Sequence, residues 1–131
     1  MRILETALYA EDLEAARSFY VGLLGLEEIS LDPDRDLFLK CENGVLILFK
    51  ASKTLVTDAG VPGHGTTGAG HMAFSASQQE LDEWAQKLES SGVPIVQHKT
   101  WRNGARSIYF LDPAGNILEF ATPDLWGIGE L

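Results

Sequence analysis

The chain has 131 residues, 45% of them hydrophobic, a length and composition that suit one globular unit with a substantial core. A formal charge of −9 and scattered lysine and arginine residues argue against a nucleic-acid partner, because phosphate binding needs clustered cations. No secretory signal or stretch of transmembrane length is evident, and the single cysteine, Cys41, is typical of a reducing cytoplasm, so we expect a cytoplasmic protein without a membrane partner.

The predicted elements begin with a short strand in ETALYA at residues 5–10 and a helix from about Asp12 to Leu24. Apolar residues recur along the helix at helical spacing, and Gly25 suits its carboxyl-terminal cap. Three strands follow in GLEEIS, LFLK and VLILF, separated by the turn signals DP and NG. Residues 1–53 are therefore predicted to form one strand–helix–three-strand (βαβββ) module.

A glycine-rich linker is predicted at residues 54–69, and a second module at residues 70–122. The second module has a strand in HMAFSA, a helix that opens with Ser77 and Glu80 in capping-box spacing, and strands in PIVQH, SIYFL and ILEFA. Residues 123–131 are predicted to be a tail. His64 lies in the linker and is expected to be exposed.

The two modules are copies of one unit. RDLFLKCENGVLILF at residues 35–49 matches RSIYFLDPAGNILEF at 106–120 with an offset of 71, and ETALYA matches HMAFSA with an offset of 66. The repeat predicts an α+β fold built from two βαβββ modules. Two aligned pairs break the apolar pattern: Leu48 of the first copy aligns with Glu119 of the second, and Glu5 of the first aligns with His71 of the second.

Strand alternation places Glu5, His71, Tyr109 and Glu119 on the face opposite the apolar residues that pack under the helices. One histidine and two carboxylates on separate strands could bind a divalent cation and leave positions open for substrate and water. The alternative is a hydrogen-bonded core histidine with carboxylates at solvated rims. Arg106 points away from Tyr109, so a structural ion pair is expected for it.

The segments DLEAARSFYVGLLGL, GHMAF and YFLDPAGNILEFATP resemble the vicinal oxygen chelate superfamily, which includes glyoxalase I, fosfomycin-modifying enzymes, bleomycin-binding proteins and extradiol dioxygenases. The resemblance implies one domain over residues 1–131, in which curved mixed sheets build an incomplete barrel, and a homodimer. The metal positions of the family fall on Glu5, Leu48, His71 and Glu119, with Leu48 as an apolar wall at the fourth. Tyr109 matches a position that contacts substrate.

The same resemblance implies a metal-dependent, glyoxalase-like enzyme of lyase, isomerase or thiol-transferase type that acts on a small substrate with vicinal oxygens. Its expected catalytic residues are Glu5, Glu119 and Tyr109, with one Mn, Ni, Co, Zn, Mg or Fe ion per site. Trp101 is expected at the cavity mouth or the dimer seam. Two alternatives stay open: a metal-free drug- or metabolite-binding protein of the bleomycin-resistance type, and an Fe(II) dioxygenase. The three aligned ligands favour the enzyme.

Overall fold

The computed structural model describes residues 1–56 and 60–128, so residues 57–59 of the predicted linker and 129–131 of the predicted tail lie outside the described residues. Two compact units are present. The first unit covers Met1–Gly70 and Pro113–Asn116, and the second covers His71–Asp112 and the chain from Ile117 onward. Within the described ranges, no helix is long and apolar enough to span a membrane.

The first unit has the predicted βαβββ order. Its elements are β1 (Glu5–Tyr9), α1 (Leu13–Arg17, continued by a π-helical segment Ser18–Leu23), β2 (Glu27–Asp32), β3 (Asp36–Cys41), β4 (Gly44–Phe49) and a short α2 (Ala51–Thr54) that the sequence reading did not predict. The sheet order is β1-β4-β3-β2, with β1 parallel to β4 and the other pairs antiparallel. The sheet is open, and β1 and β2 are its edges.

Local sequence signals account for the helix of the first unit. The carboxylate of Asp12 accepts a hydrogen bond from the backbone N–H of Ala15 at 3.0 Å, which caps the first turn. Gly25, at φ 80°, adopts the left-handed conformation that follows many helices. Leu48 lies between Leu37 and Leu8 in the strand register, and all three are buried.

The second unit repeats this order. Its elements are β5 (His71–Ser75), α3 (Gln78–Ser90), β6 (Gln97–Thr100), β7 (Arg106–Leu111), β8 (Ile117–Ala121) and a final 3₁₀ turn (Pro123–Trp126). The strand order is β5-β8-β7-β6, with β5 parallel to β8. The predicted α+β fold of two βαβββ modules is therefore confirmed.

The helix of the second unit is fixed by its cap and by aromatic packing. Ser77 and Glu80 form the predicted capping box, because each side chain accepts from the backbone N–H of the other. Trp84 stacks on Phe120 of β8 with ring centroids 4.7 Å apart. Arg106 makes the expected ion pair, with its guanidinium 2.7 Å from Asp82 on α3. These contacts leave the other face of the sheet free of the helix.

The β3–β4 and β7–β8 hairpins are equivalent, but β8 is displaced by one residue relative to the sequence alignment of the two copies. Tyr109 lies opposite Glu119, whereas Phe38, the equivalent of Tyr109, lies opposite Ile47. The prediction that Leu48 holds the place of Glu119 is therefore wrong, and Ile47 holds it. The physical reason is turn length. Lys40 pairs with Val45 in the first unit, whereas its equivalent Leu111 pairs with Ile117, so the connection between β7 and β8 is one residue longer than that between β3 and β4. A shift of one residue along a strand moves its side chains to the other face of the sheet.

The second edge strand also differs from the prediction. The strand was expected in PIVQH at residues 94–98, but β6 begins at Gln97. Pro94 has no N–H to donate, and pairing with β7 starts only where the N–H of Val96 reaches the carbonyl oxygen of Tyr109, at 2.8 Å.

Candidate functional site

His71 is the first residue of β5, and 52% of its side chain is exposed. Its Nδ1 atom lies 2.9 Å from the carbonyl oxygen of Ile117, which lies opposite it on β8. A carbonyl oxygen can only accept, so Nδ1 carries a proton, and Nε2 has a free lone pair when the imidazole is neutral. The ring is oriented, and its second nitrogen is available for binding.

Glu119 lies in the middle of β8, and its side chain is only 7% exposed. Its Oε2 atom is 3.2 Å from Nε2 of His71. Tyr109 lies directly across from Glu119 on β7 and stacks on His71 with ring centroids 6.2 Å apart. Three of the four predicted site residues therefore meet on one face of the second unit.

The surroundings of Tyr109 keep its hydroxyl protonated. Burial raises the pKa of Tyr109 above its ordinary value of 10.0, and the charge of Glu119 and the hydrogen bond to it raise the pKa further. A hydrogen bond with Ser107 acts in the opposite direction. Ser107 is itself buried, and its Oγ accepts a hydrogen bond from the indole Nε1 of Trp101 at 3.0 Å. Tyr109 thus presents an O–H group beside Glu119 at neutral pH.

A pocket of about 480 Å³ opens beside His71 and Tyr109. The rest of its lining comes from Val96, Gln97, Lys99, Trp101 and Ile117. Its volume suits a small ligand, and Lys99 supplies a positive charge. A second hollow of about 430 Å³ shares Lys99 and Trp101 with this pocket but contains none of the predicted site residues.

Sequence reasoning missed the contributions of Ser107 and Lys99 to this site, and it did not foresee the bond from Trp101 to Ser107. Strand alternation does place Ser107 on the face of Tyr109, and that was the available signal. The direction of the Trp101 indole depends on a turn in which its backbone N–H donates to the carbonyl oxygen of Ala105 at 2.8 Å. Trp101 lines the pocket, and its predicted place at a dimer seam stays a prediction.

Glu5, the third predicted ligand, belongs to the first unit. It begins β1 opposite Val45 and is exposed. Across residues 1–56 and 60–128, no group of three or more histidine, cysteine, aspartate or glutamate side chains is placed to hold a metal ion. The ligand set of Glu5, His71 and Glu119 therefore stays a prediction.

Aromatic rings gather on the corresponding face of the first unit. The exposed linker residue His64 has its Nδ1 atom 2.7 Å from the hydroxyl of Tyr9. Its ring meets Phe49 edge-on with centroids 4.8 Å apart, and its backbone N–H donates to the carbonyl oxygen of Thr54 at 2.8 Å. His64 is thus exposed, as expected, but held in place.

The pair of His71 and Glu119 fits a divalent cation. Imidazole nitrogen and carboxylate oxygen are ligands of Mn, Fe, Co, Ni and Zn, and here they face each other across 3.2 Å. Metal-binding histidines typically donate their other N–H to a carboxylate or a backbone carbonyl, as His71 does to Ile117. A protonated His71 would form an ion pair with the same geometry, so a metal ion would replace a proton here.

These features define a small α+β protein with a His–Glu–Tyr site, and the comparisons identify its family. The chain belongs to the Glyoxalase/Bleomycin resistance protein/Dioxygenase superfamily, whose sequence model matches residues 2–120. The family predicted from the closing DPAGNILEF segment is confirmed.

Individual proteins are also similar to this chain in structure or in sequence. The crystal structure of a lactoylglutathione lyase from Agrobacterium tumefaciens is 41% identical and covers 97% of each chain, with a TM-score of 0.94. Metallothiol transferase FosB of Bacillus licheniformis is 42% identical over 53 residues, or 40% of this chain and 34% of the relative. Glutathione transferase FosA of Serratia marcescens is 37% identical over 49 residues, or 37% of this chain and 33% of the relative. The matched segments span about a third of these curated relatives.

Proposed function

We propose that the chain is a metal-dependent enzyme that acts on a small substrate with vicinal oxygens, as a lyase, an isomerase or a thiol transferase. The observation that carries the proposal is the pair formed by His71 and Glu119, whose Nε2 and Oε2 atoms face each other at 3.2 Å. A histidine with a fixed tautomer beside a buried carboxylate is an arrangement that suits a metal ligand set better than an apolar binding cavity.

The proposed ligands of one divalent ion are His71, Glu119 and Glu5. Glu5 begins β1 as His71 begins β5, and both strands run parallel to the last strand of their sheets. Two carboxylates neutralise a 2+ charge, and oxygen-rich ligation suits Mn, Ni, Co, Mg or Fe at least as well as Zn. The ion, when bound, would supply a Lewis acid for substrate oxygens.

The proposed chemistry of the chain itself is positioning and proton transfer. Glu119 and Glu5 are the candidate bases, and the O–H group of Tyr109 can donate to a substrate oxygen or return a proton to Glu119. Lys99 lines the pocket beside His71 and suits an anionic substrate group. Three relatives are named for metallothiol, glutathione or lactoylglutathione chemistry, which supports a thiol-containing substrate or co-substrate.

Metal analysis and calorimetry test this proposal. Protein purified without chelator should hold about one divalent ion per site, and titration with Mn²⁺, Ni²⁺ and Zn²⁺ should give the same stoichiometry. His71→Ala and Glu119→Ala should each abolish stoichiometric binding, since loss of a ligand should exceed the roughly 10–100-fold loss typical of outer contacts. His98→Ala is the matched control, because His98 is an exposed histidine opposite Ile108 on β6.

Unchanged affinity in His71→Ala would contradict the proposal and favour a metal-free binding protein. A substrate screen with and without EDTA would follow. Activity on glutathione adducts or thiol addition to an epoxide, lost with EDTA and restored by metal, would identify the reaction type.

A homodimer is part of the proposal, because each four-stranded sheet is open at its edge strands. Light scattering should give twice the chain mass at micromolar concentration. Mixing Glu5→Ala with His71→Ala protein would then show where Glu5 acts. Recovery of metal binding in the mixture means that Glu5 of one chain serves the site of another, and no recovery means that each site uses one chain.

A further inference from the structure

The second hollow, next to the pocket beside His71, carries two positive charges. Its volume is about 430 Å³, and its lining consists of Lys99, Thr100, Trp101, Arg102, Asn103 and Leu125, none of which is acidic. Lys99 and Trp101 also line the pocket beside His71, so the two cavities share one wall. We call this second cavity the basic hollow.

The cations of the basic hollow lack acidic partners in a chain that is acidic overall. The formal net charge is −9, yet residues 98–106 contain lysine and arginine side chains and no aspartate or glutamate. One of these cations, Arg106, is paired with a carboxylate on α3. Lys99 and Arg102 are exposed, and neither forms an ion pair in the part of the chain that the structure describes. A cavity lined by charges of one sign attracts ligands of the opposite sign.

The position of Lys99 is set by the sheet and by an aromatic ring. Lys99 lies opposite Ser107 in the register of β6 and β7, which places it on the face that carries Tyr109. Its Nζ atom lies 5.3 Å from the centroid of the Trp101 ring, and the indole N–H of Trp101 donates to Oγ of Ser107 at 3.0 Å. Lys99 therefore lies at the boundary of the two cavities, over a ring that is itself held in place.

Arg102 is a central residue of a turn that is closed by its own hydrogen bonds. The backbone N–H of Trp101 donates to the carbonyl oxygen of Ala105 at 2.8 Å, and that of Gly104 donates to the carbonyl oxygen of Trp101 at 3.0 Å. The N–H of Ala105 donates to Oδ1 of Asn103 at 3.1 Å. These three N–H groups are committed within the turn, so they do not supply the backbone nest that phosphate sites use. A planar guanidinium matches a carboxylate through two parallel bonds, so the basic hollow suits a carboxylate better than a phosphate.

We propose that the basic hollow binds a carboxylate at the far end of a substrate or co-substrate whose reacting end lies at His71 and Glu119. Lys99 and Arg102 are then specificity-determining residues, because they bind a charged group remote from the proposed metal ligands. The two neighbouring cavities together have room for a ligand of the size of a small peptide. The position of the reacting end rests on the proposed function, whereas the preference for a carboxylate does not.

A pair of probes that differ only in this charge tests the proposal. N-acetylcysteinylglycine has a thiol and a terminal carboxylate, and its carboxamide lacks the charge. Titration of the metal-free protein, followed through the indole N–H resonance of Trp101, gives both affinities. The acid should bind about fivefold to 25-fold more tightly than the amide, because each of two exposed ion pairs contributes up to about fivefold. The resonance of Trp84, which stacks on Phe120 under α3, should not move.

Variants show whether these two cations carry the preference. Lys99→Gln and Arg102→Gln should each weaken binding of the acid up to about fivefold and leave binding of the amide within about twofold. The double variant should bind acid and amide alike. Lys87→Gln is the matched control, because it changes the net charge equally and Lys87 also lies over an indole, 5.0 Å from the ring centroid of Trp84. It should retain the wild-type preference, and thermal melts would confirm that all variants fold.

Three results would overturn the inference: equal affinity for acid and amide in the wild type, a preference that survives in the double variant, or inorganic phosphate that binds as tightly as the acid. Calorimetric titration with Mn²⁺ separates this inference from the proposed function. A protein that binds no Mn²⁺ but prefers the acid would refute the proposed metal site and leave the carboxylate subsite standing. A protein that binds Mn²⁺ but does not distinguish acid from amide would refute the subsite and leave the metal site standing.

Discussion

Asn116, in the turn before β8, offers a direct measure of what the closing DPAGN segment does. It is only 2% exposed, and its side chain binds two backbone groups of the first unit. Nδ2 donates to the carbonyl oxygen of Tyr9 at 3.1 Å, and Oδ1 accepts from the N–H of Gly70 at 2.8 Å. A Cβ atom on Gly70 would lie 3.1 Å from Oδ1, so the approach also depends on glycine.

Asn116→Ala should lower the free energy of unfolding by about 2–4 kcal/mol, because two part-buried backbone groups each lose a partner, at a cost of about 1–2 kcal/mol apiece in the lower part of the range for a buried group. Asn103→Ala is the matched control. Asn103 also makes two bonds to backbone, donating to the carbonyl oxygen of Asp124 at 2.8 Å and accepting from the N–H of Ala105 at 3.1 Å. Asn103 and Asp124 are exposed, so water replaces the bond to the Asp124 carbonyl oxygen. Only the N–H of the buried residue Ala105 loses its partner at a cost, which should be about 1–2 kcal/mol and so below that of Asn116→Ala.

Urea-induced unfolding would give both values, provided that the slope of the unfolding free energy against urea concentration is the same in each variant. Asn116→Asp adds a second reading. The introduced carboxylate can still accept from Gly70, but it has no proton for the Tyr9 carbonyl until the pH falls below about 4. Its deficit relative to the wild type should therefore shrink on acidification. Equal costs for Asn116→Ala and Asn103→Ala would refute the reasoning from burial.

Two further predictions follow from shifted pKa values. The hydrogen bond from Arg106 lowers the pKa of the Asp82 carboxyl below 3.8, so the pair stabilises the fold above that pH and is lost as the pH falls through the lowered value. Arg106→Gln should thus reduce stability more at neutral pH than in acid, because the bond from Arg106 to Gln78 is lost at every pH but the pairing with Asp82 only where Asp82 is ionised. A deficit that does not shrink on acidification would contradict the pairing. Burial, followed by the charge of Glu42, raises the pKa of the Cys41 thiol above 9.0. Cys41 should therefore react with a disulfide reagent at pH 8 more slowly than free cysteine does, and Glu42→Gln should speed the reaction.

The features predicted correctly from the sequence are those that local chemistry decides. Ser77 and Glu80 form a capping box because both partners lie within four residues, and Asp12 caps its helix for the same reason. Strand alternation also sufficed for His71, Tyr109 and Glu119, which needed only the correct face and adjacent strands. What the sequence could not give is the contact from Trp101 to Ser107, which depends on how an intervening turn closes.

The error over Leu48 shows what a sequence repeat leaves open. A gapless alignment fixes one offset for a whole hairpin, but each strand takes its register from the turn that precedes it. The cross-strand row that holds Ala73, Glu119 and Tyr109 in the second unit holds Ala7, Ile47 and Phe38 in the first.

Two differences within that row distinguish the first unit from the second: isoleucine replaces glutamate, and phenylalanine replaces tyrosine. The first unit consequently has no hydroxyl at Phe38 to donate and no carboxylate at Ile47 to receive a proton. Its face instead carries the rings of Phe38, Phe49 and Tyr9, with His64 packed against the last two. The repeat fixes the same backbone twice, and this one row supplies the carboxylate and the hydroxyl that lie beside His71 in the second unit.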